Sequence, residues 1–339
     1  MTTLRMELAD KSYDIKVGRG LLAKAGEYLN LSRRVLIVTD SGVPKEYAEA
    51  LLGACKEGKI ITVAEGEGSK SMQTLGEVLT EMSSFGLTRH DCAVAVGGGV
   101  VGDLVGFASS IYMRGIDFYN VPSTVLSMVD SSIGGKTAVN FLGIKNIIGS
   151  FYQPKAVLID TDVLKTLPKR QISSGLAEAV KMAVTMDAEL FSDLEKMSYD
   201  EIMENIETII IRSLKIKKTV VEKDERESSL RKVLNFGHTL GHGIEAVTEM
   251  KLLHGECVSL GMIPMCSDEV RPRLIALLEK LSLPCSFFGD LDGALEFLSH
   301  DKKFDGDKVT AILCDEIGSF RMADMELSEF YEKVKNQVQ

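Results

Sequence analysis

Five short runs in the first half of the chain are apolar at successive positions rather than at alternate ones: "RVLIVTD" (34–40), "KIITVAE" (59–65), "CAVAVGGG" (92–99), "FYNVPST" (118–124) and "AVLID" (156–160). A strand of that kind must be buried on both faces. This is the pattern of parallel strands with helices packed on either side. Stretches with helical spacing at 44–56 and 72–85 lie between the runs, and "LRMELA" and "YDIKVG" read as an opening strand pair. The first part of the chain is therefore expected to be an α/β unit with a Rossmann-like sheet. Such sheets take ligands beyond the carboxyl ends of their strands.

Near Pro168 the pattern changes. "SSGLAEAVKMAVTMDAELFSDLEKM", "YDEIMENIETIIIRSLKIKKTVVEKDE" and "RLIALLEKLSL" carry apolar residues at helical spacing, and "DKVTAILCDEIGSFRMAD" reads as one hairpin. The 339 residues suffice for two domains of ordinary size. The expected division is an α/β nucleotide-binding domain over 1–166 and a mainly helical domain over 167–339, with the active site in the cleft between them.

Composition removes several classes of function. A net charge of −10 argues against broad attraction to nucleic acid or anionic lipid. No apolar run is long enough to span a bilayer, and the N-terminus lacks the unbroken apolar core of a signal peptide. The six cysteines are scattered without a CxxC pair, as expected of reduced thiols in a cytoplasmic protein.

Three of the five histidines fall within "NFGHTLGHGIEAVTEMKLLHGE" (235–256). His238 and His242 have the spacing of the zinc-protease motif H-E-x-x-H, but Thr239 stands where that motif needs its glutamate base, so the protease reading fails. Two histidines on one helix face, a third from a later segment and a carboxylate still make a zinc shell. Glu178 in "SGLAEAVKMA" is the candidate carboxylate, three residues before Lys181. An exposed Glu–Lys pair at this spacing is an ordinary surface ion pair; the apolar neighbours here mark it as buried, where charges need a purpose.

"AVAVGGGVVGDLVGFAS" (93–109) is a strand, a glycine turn and a helix. Glycines there allow positive φ and close approach of backbone amides to a pyrophosphate at the helix N-terminus. The order GGGxxGD is not the dinucleotide fingerprint, and a tight turn without a ligand also explains it. Asp40 suits either a ribose acceptor or a helix N-cap. Basic residues stand in short motifs rich in Gly, Ser, Asn and Asp, which read as loops: "YMRGI", "VDSSIGGKTAVN", "GIKNIIG", "KIKK", "ESSLRKVLNFGHT" and "HDKKFDG". Each reads alone as surface charge. Together they suit a substrate with a phosphate at one end and a carboxylate at the other.

"GGGVVGDLVGFASSIYMRGI", "VPSTVLSMVDSSIGGKTAVN", "KNIIGSFYQP", "GLAEAVKMA", "DERESSLRKVLNFGHTLGHGIE" and "LLHGECVSLGM" occur in this order. Jointly they resemble the 3-dehydroquinate synthase family of sugar-phosphate cyclases, from about residue 34 to the end. The resemblance implies an NAD⁺ and one divalent metal, normally zinc, with cobalt able to replace it. It implies Glu178, His238 and His254 as the metal ligands, and it moves His242 from the metal to the phosphate. Around the NAD it places Asp40, Glu67, Lys70, Gly98, Gly99, Asp103, Ser123, Thr124, Leu126, Asp130, Lys136 and Lys145. The phosphate falls to Lys136, Asn146, His242 and the lysines at 302 and 303 (Lys302, Lys303), with Arg114 reaching in from the second subunit of a homodimer. The carboxylate end falls to Lys217, Arg231 and Asn235, and Asp130, Lys181 and Glu227 lie near the hydroxyls and metal. Ser41 and Gly42 depart from the family's Asn after "VTD", and Ser123 replaces its first Thr.

The implied reaction belongs to the shikimate pathway of aromatic amino acid biosynthesis. It converts 3-deoxy-D-arabino-heptulosonate 7-phosphate to 3-dehydroquinate and phosphate. Oxidation of an alcohol, elimination of phosphate (itself acting as base), re-reduction and intramolecular aldol closure follow one another. Three rivals share features with this reading. A metal-dependent alcohol dehydrogenase needs no doubly anionic substrate set. A related cyclase such as 2-deoxy-scyllo-inosose synthase shares the chemistry. A non-catalytic NAD-binding module would release no phosphate.

Overall fold

The non-alternating runs are the strands of one sheet. β1 (Thr2–Met6) and β2 (Tyr13–Gly18) open it, followed by β3 (Arg34–Asp40), β4 (Glu57–Val63), β5 (Cys92–Gly97) and β6 (Asp117–Pro122). A hairpin of β7 (Lys136–Phe141) and β8 (Ile144–Phe151) intervenes before β9 (Ala156–Asp160). The sheet order is β1-β2-β9-β6-β5-β3-β4. Only β1 and β2 pair antiparallel; every other neighbour is parallel. The structure, a computed structural model, describes residues 1–249, 251–299 and 308–338. Its two compact units are Met1–Leu167 and Pro168–Gln339.

All six residues of β5 are buried, which explains why its sequence does not alternate. Leu36, Val38, Ala93 and Ala95 of the sheet pack with Leu75, Val78, Val101, Leu104 and Val105 from the helices Met72–Ser84 and Gly99–Ile111. Each large aliphatic side chain removed from water there contributes about 1.5–3 kcal/mol. The register aligns Thr39 with Val96 and Gly97 with Pro122. Asp40, the turn after β5 and the segment after β6 therefore share the carboxyl edge of the sheet, where ligands of such folds bind.

The second unit is built around the helix Lys169–Met186, in which every residue from Ile172 to Thr185 is buried. Burial all round is what an interior helix requires. The helices Ile206–Lys223, His238–Val247 and His254–Met262 follow. β10 (Lys308–Leu313) and β11 (Arg321–Glu326) form the expected antiparallel hairpin. Among the described residues no helix is long and apolar enough to cross a membrane, and all six cysteines are free.

The hairpin β7–β8 differs from expectation, since "GGKTAVN" and "GIKNIIG" read as loops. Its turn is Leu142–Gly143, with φ of 50° and 79°. Both central residues at positive φ suit a two-residue hairpin turn, usually signalled by Asn-Gly. Leucine at the first position hides the signal. Lys136, Lys145 and Asn146 accordingly sit on strands, and Lys217 lies inside the helix expected from the spacing of its stretch.

Candidate metal centre and active site

Two glycines allow the helices bearing Glu178, His238 and His254 to converge. Gly237 has φ +76°, and it caps the helix that starts at His238. A side chain at Gly255 would put its Cβ 1.8 Å from the Ser174 carbonyl oxygen, so only glycine lets these backbones touch. The Gly255 amide also donates to Ser174 Oγ at 3.0 Å.

His238 Nε2 and His254 Nε2 stand 3.6 and 3.5 Å from the same oxygen, Oε1 of Glu178. Lys181 Nζ contacts the other oxygen, Oε2. The three donor atoms lie within 4.8 Å of one another. Tetrahedral zinc ligands held about 2.1 Å from the ion stand roughly 3.4 Å apart, so the residues fit a divalent metal. Glu178 is fully buried, and Oε1 accepts no hydrogen bond among the described residues, which leaves its charge toward the imidazoles. A carboxylate paired with Lys181 through one oxygen and turned to two imidazoles with the other has the donor geometry of a metal ligand.

Burial opposes ionisation of Glu178, but the Lys181 ammonium and the two imidazoles hold its carboxyl well below the ordinary range. Burial, with the Lys181 charge alongside, pushes His238 down to about 3. At His254 burial also disfavours the charged ring, yet the carboxylates of Glu178 and Glu245 outweigh it and push the value up to about 10. A metal at Nε2 would displace that proton.

Lys181 Nζ also donates to the Leu234 carbonyl at 2.7 Å, which ties the cluster to the segment holding Arg231 and Asn235. Asn235 Nδ2 donates to Glu227 Oε1 at 2.8 Å, and Glu227 holds φ +61°, a strained conformation for a residue with a side chain. Arg231 is buried, and its Nη1 donates to the Glu225 carbonyl. Lys217 is buried on its helix. The His242 ring centroid lies 5.5 Å from that of His238 and 6.3 Å from that of His254. Within this unit, then, Glu178, Lys181, His238, His242 and His254 gather tightly, with Glu227, Arg231 and Asn235 on the adjoining segment.

In the first unit the glycine turn has a different basis from the expected one. Gly97, Gly98 and Gly99 do not adopt positive φ. A Cβ at Gly97 would lie 2.6 Å from Val101 Cγ2, and one at Gly99 would lie 2.9 Å from Ser131 Oγ. Close packing therefore favours glycine at 97 and 99, whereas a Cβ at Gly98 would meet only ordinary contacts. The Ser123 amide donates to the Gly97 carbonyl at 2.9 Å, and Thr124 Oγ1 lies 2.8 Å from Ser127 Oγ. Leu126 immediately precedes the π-helical turn Ser127–Ser131, which contains Asp130.

Asp40 is no helix cap here: Pro44 occupies that place, and Asp40 Oδ1 accepts from the Gly42 amide at 2.8 Å. Burial raises its carboxyl above the ordinary value. Lys70 Nζ contacts both Asp103 Oδ2 and Asn146 Oδ1, bringing residues assigned to nucleotide and to phosphate into one cluster. Glu67 Oε1 accepts from Asn140 Nδ2 at 2.8 Å, and Asn140 Oδ1 accepts from the Asn146 amide at 2.9 Å. Lys136 is exposed at the start of β7, Lys145 is half-buried on β8, and Arg114 is exposed with φ +68°. Lys302 and Lys303 lie outside the described residues.

Three polar residues escaped the sequence reading. Asn140 is the hub just described. Asp224 accepts from the amides of Ser228, Ser229 and Arg231 at 2.9, 2.7 and 2.9 Å. Glu245 Oε1 lies 2.7 Å from His254 Nδ1. A histidine that binds metal usually donates its other nitrogen to a carboxylate, so Glu245 was open to inference once His254 was assigned.

Residues 60–174 match the family model described as "3-dehydroquinate synthase N-terminal", and residues 175–304 match "3-dehydroquinate synthase C-terminal". The chain belongs to the 3-dehydroquinate synthase family. Among curated members of this family, the 3-dehydroquinate synthase of Streptococcus sanguinis is 40% identical, over 98% of this chain and 99% of that one. A solved structure of 2-deoxy-scyllo-inosose synthase, complexed with carbaglucose-6-phosphate, NAD⁺ and Co²⁺, superposes with a TM-score of 0.91. It is 26% identical, over 99% of this chain and all of that one. The 2-epi-5-epi-valiolone synthase of Streptomyces hygroscopicus subsp. jinggangensis, with NAD⁺ and Zn²⁺ bound, gives a TM-score of 0.88 at 30% identity. That match covers 97% of this chain and 98% of the other.

Proposed function

We propose that this chain catalyses the reaction of its family, converting 3-deoxy-D-arabino-heptulosonate 7-phosphate to 3-dehydroquinate and phosphate. It is then a phosphate-eliminating lyase of the shikimate pathway. The observation that carries the reading is the buried Glu178–His238–His254 cluster, joined through Lys181 to the segment of Arg231 and Asn235. Bound NAD⁺ would accept and return one hydride, and zinc (or cobalt) would draw electron density from the substrate oxygens it holds. Glu178, His238 and His254 would hold the metal. Asp40, Glu67, Lys70, the turn at Gly98 and Gly99, Asp103 and the segment Ser123–Leu126 would line the NAD site, with Asp130, Lys136 and Lys145.

Arg231, Lys217 and Asn235 bind the carboxylate end, while Lys136, Asn146 and His242 bind the phosphate. Fixing both ends orients the reacting carbon and accounts for a large part of the rate. Lys181, Asp130 and Glu227 hydrogen-bond the hydroxyls between them. We place the protein in the cytoplasm, a reading supported by six scattered cysteines without a CxxC pair.

Incubating the protein with the heptulosonate phosphate, NAD⁺ and zinc should release phosphate and yield 3-dehydroquinate without accumulating NADH. NADH formed in step with product would make it a dehydrogenase. Turnover of a hexose 6-phosphate instead would make it a different cyclase.

We also propose a homodimer in which Arg114 serves the partner's site. Ile111 and Met113 flank it with exposed apolar side chains. The hairpin, tied to that helix end by Ser150 Oγ donating to Ser110 Oγ at 2.8 Å, exposes Phe141, Leu142, Ile144, Ile147 and Phe151. So much apolar surface on one unit suits a second copy. Arg114→Ala should lower turnover about 100-fold with metal content intact. Mixing it with His254→Ala should restore roughly a quarter of wild-type turnover, since half the dimers are mixed and each carries one complete site. No recovery after verified subunit exchange would mean that Arg114 acts in cis or not at all.

A further inference from the structure

We propose that Glu245 is a positioning residue for the metal centre: its carboxylate fixes the ring of His254 so that Nε2 alone faces Glu178. The inference rests on Glu178, His238 and His254 holding the metal.

The two histidines are oriented by different means. His238 Nδ1 lies 3.2 Å from the Phe236 carbonyl, a neutral backbone acceptor next to it in the chain. Its side chain is only 12% exposed, so packing restrains it further. The His254 side chain is 30% exposed and opens its helix, where packing restrains a ring least. Its orientation therefore depends on the bond between Nδ1 and Glu245 Oε1.

Glu245 is well placed for this. It lies seven residues after His238 on the same helix, two turns along the same face, so one helix supplies a ligand and the support for another. Its carboxylate is buried, which is costly unless the charge is used. Nδ1 faces Glu245 Oε1 at 2.7 Å, a carboxylate acceptor, so the ring proton belongs on Nδ1. Nε2 then keeps its lone pair for the metal. The carboxylate also makes that lone pair more basic.

The test compares wild type with Glu245→Gln and Glu245→Ala as full chains, each stripped of metal and titrated with zinc against a competing chelator. Glu245→Ala should weaken zinc binding about 10–100-fold, the usual scale for such partners. Glu245→Gln keeps an acceptor without the charge, so its loss should be smaller, and it guards against a misfolded alanine variant. The visible absorption bands of the cobalt forms should shift in both variants, while NAD⁺ affinity stays unchanged. Wild-type zinc affinity and cobalt spectra in both variants, even with lower thermal stability, would overturn the proposal and leave Glu245 a structural residue. His254→Ala separates the two levels. If it too retains zinc, the metal assignment itself fails; if it loses zinc while the Glu245 variants do not, only the positioning role fails.

Discussion

Glu178, His238 and His254 come from three helices whose backbones touch, whereas Lys70, Asp103 and Asn146 come from a short turn, a helix and an exposed hairpin. In the first cluster Glu178 is fully buried, with one oxygen given to Lys181 and the other left to the imidazoles. In the second, Lys70 already meets a carboxylate and an amide oxygen. The cluster proposed for the metal thus aims one carboxylate oxygen and two imidazole nitrogens at a common point, on three buried helices that fix their spacing. The cluster proposed for the nucleotide is self-compensated, so a ligand there would have to exchange partners with it. Rigid burial suits an ion that tolerates little error in ligand distance. Mutually satisfied groups, with Lys70 buried and Asn146 exposed, suit a large cofactor that brings its own charges and hydroxyls.

The largest expected effect comes from breaking the rigid cluster. His254→Ala should remove the metal and lower phosphate release about 1000-fold or more, given what one transition-state charge stabiliser contributes. NAD⁺ affinity should survive, because no residue of the first unit is touched. Full zinc content and turnover in this variant would dissolve the contrast.

The two regions were also unequally legible in the sequence. Histidine is scarce here, five among 339 residues, so three within one short stretch stood out. The parallel strands stood out because burial on both faces forbids alternation. Glu245 did not, since the chain has 49 acidic residues and a glutamate on a helix looks like any solvated one. Only its contact with His254 separates it from them. The hairpin was hidden by leucine in a turn position that usually holds asparagine. Of the expected roles of the glycines at 97–99, positive φ is absent, and the close approach of Val101 to Gly97 and of Ser131 to Gly99 is a tertiary fact that no local pattern carries.

A smaller effect should follow from breaking the self-compensated cluster. Lys70→Met removes the cation shared by Asp103 and Asn146 while keeping most of the buried stem. NAD⁺ affinity should fall about tenfold, one charge-assisted hydrogen bond's worth, and zinc content should not change. Equal NAD⁺ binding by titration calorimetry would show that Lys70 serves only to neutralise Asp103. Loss of zinc would mean that the two regions are not separable as drawn.

The smallest effect tests what keeps the segment proposed to bind the carboxylate end in place. Burial disfavours ionisation of Asp224, but the amides of Arg231, Ser228 and Ser229 hold its carboxyl well below the ordinary value. A carboxyl depressed in this way binds fewer protons folded than unfolded. Its contribution is therefore fully present above the unfolded value of about 4 and is lost as pH falls below it. In Asp224→Asn the side chain keeps one acceptor but turns an amide donor toward backbone N–H groups that are donors themselves. The cost at pH 7 should be about 1–2 kcal/mol, the scale of losing a capping side chain. Urea unfolding of both proteins should give that difference unchanged from pH 7 to 5, and a narrowing gap below about pH 4. KM for the substrate should rise more than kcat falls, because the Arg231 amide loses its anchor while the metal ligands keep theirs. A gap that is constant through the acid range, or that widens as pH drops, would mean that the segment carrying Glu227 and Arg231 is held by something other than this carboxylate.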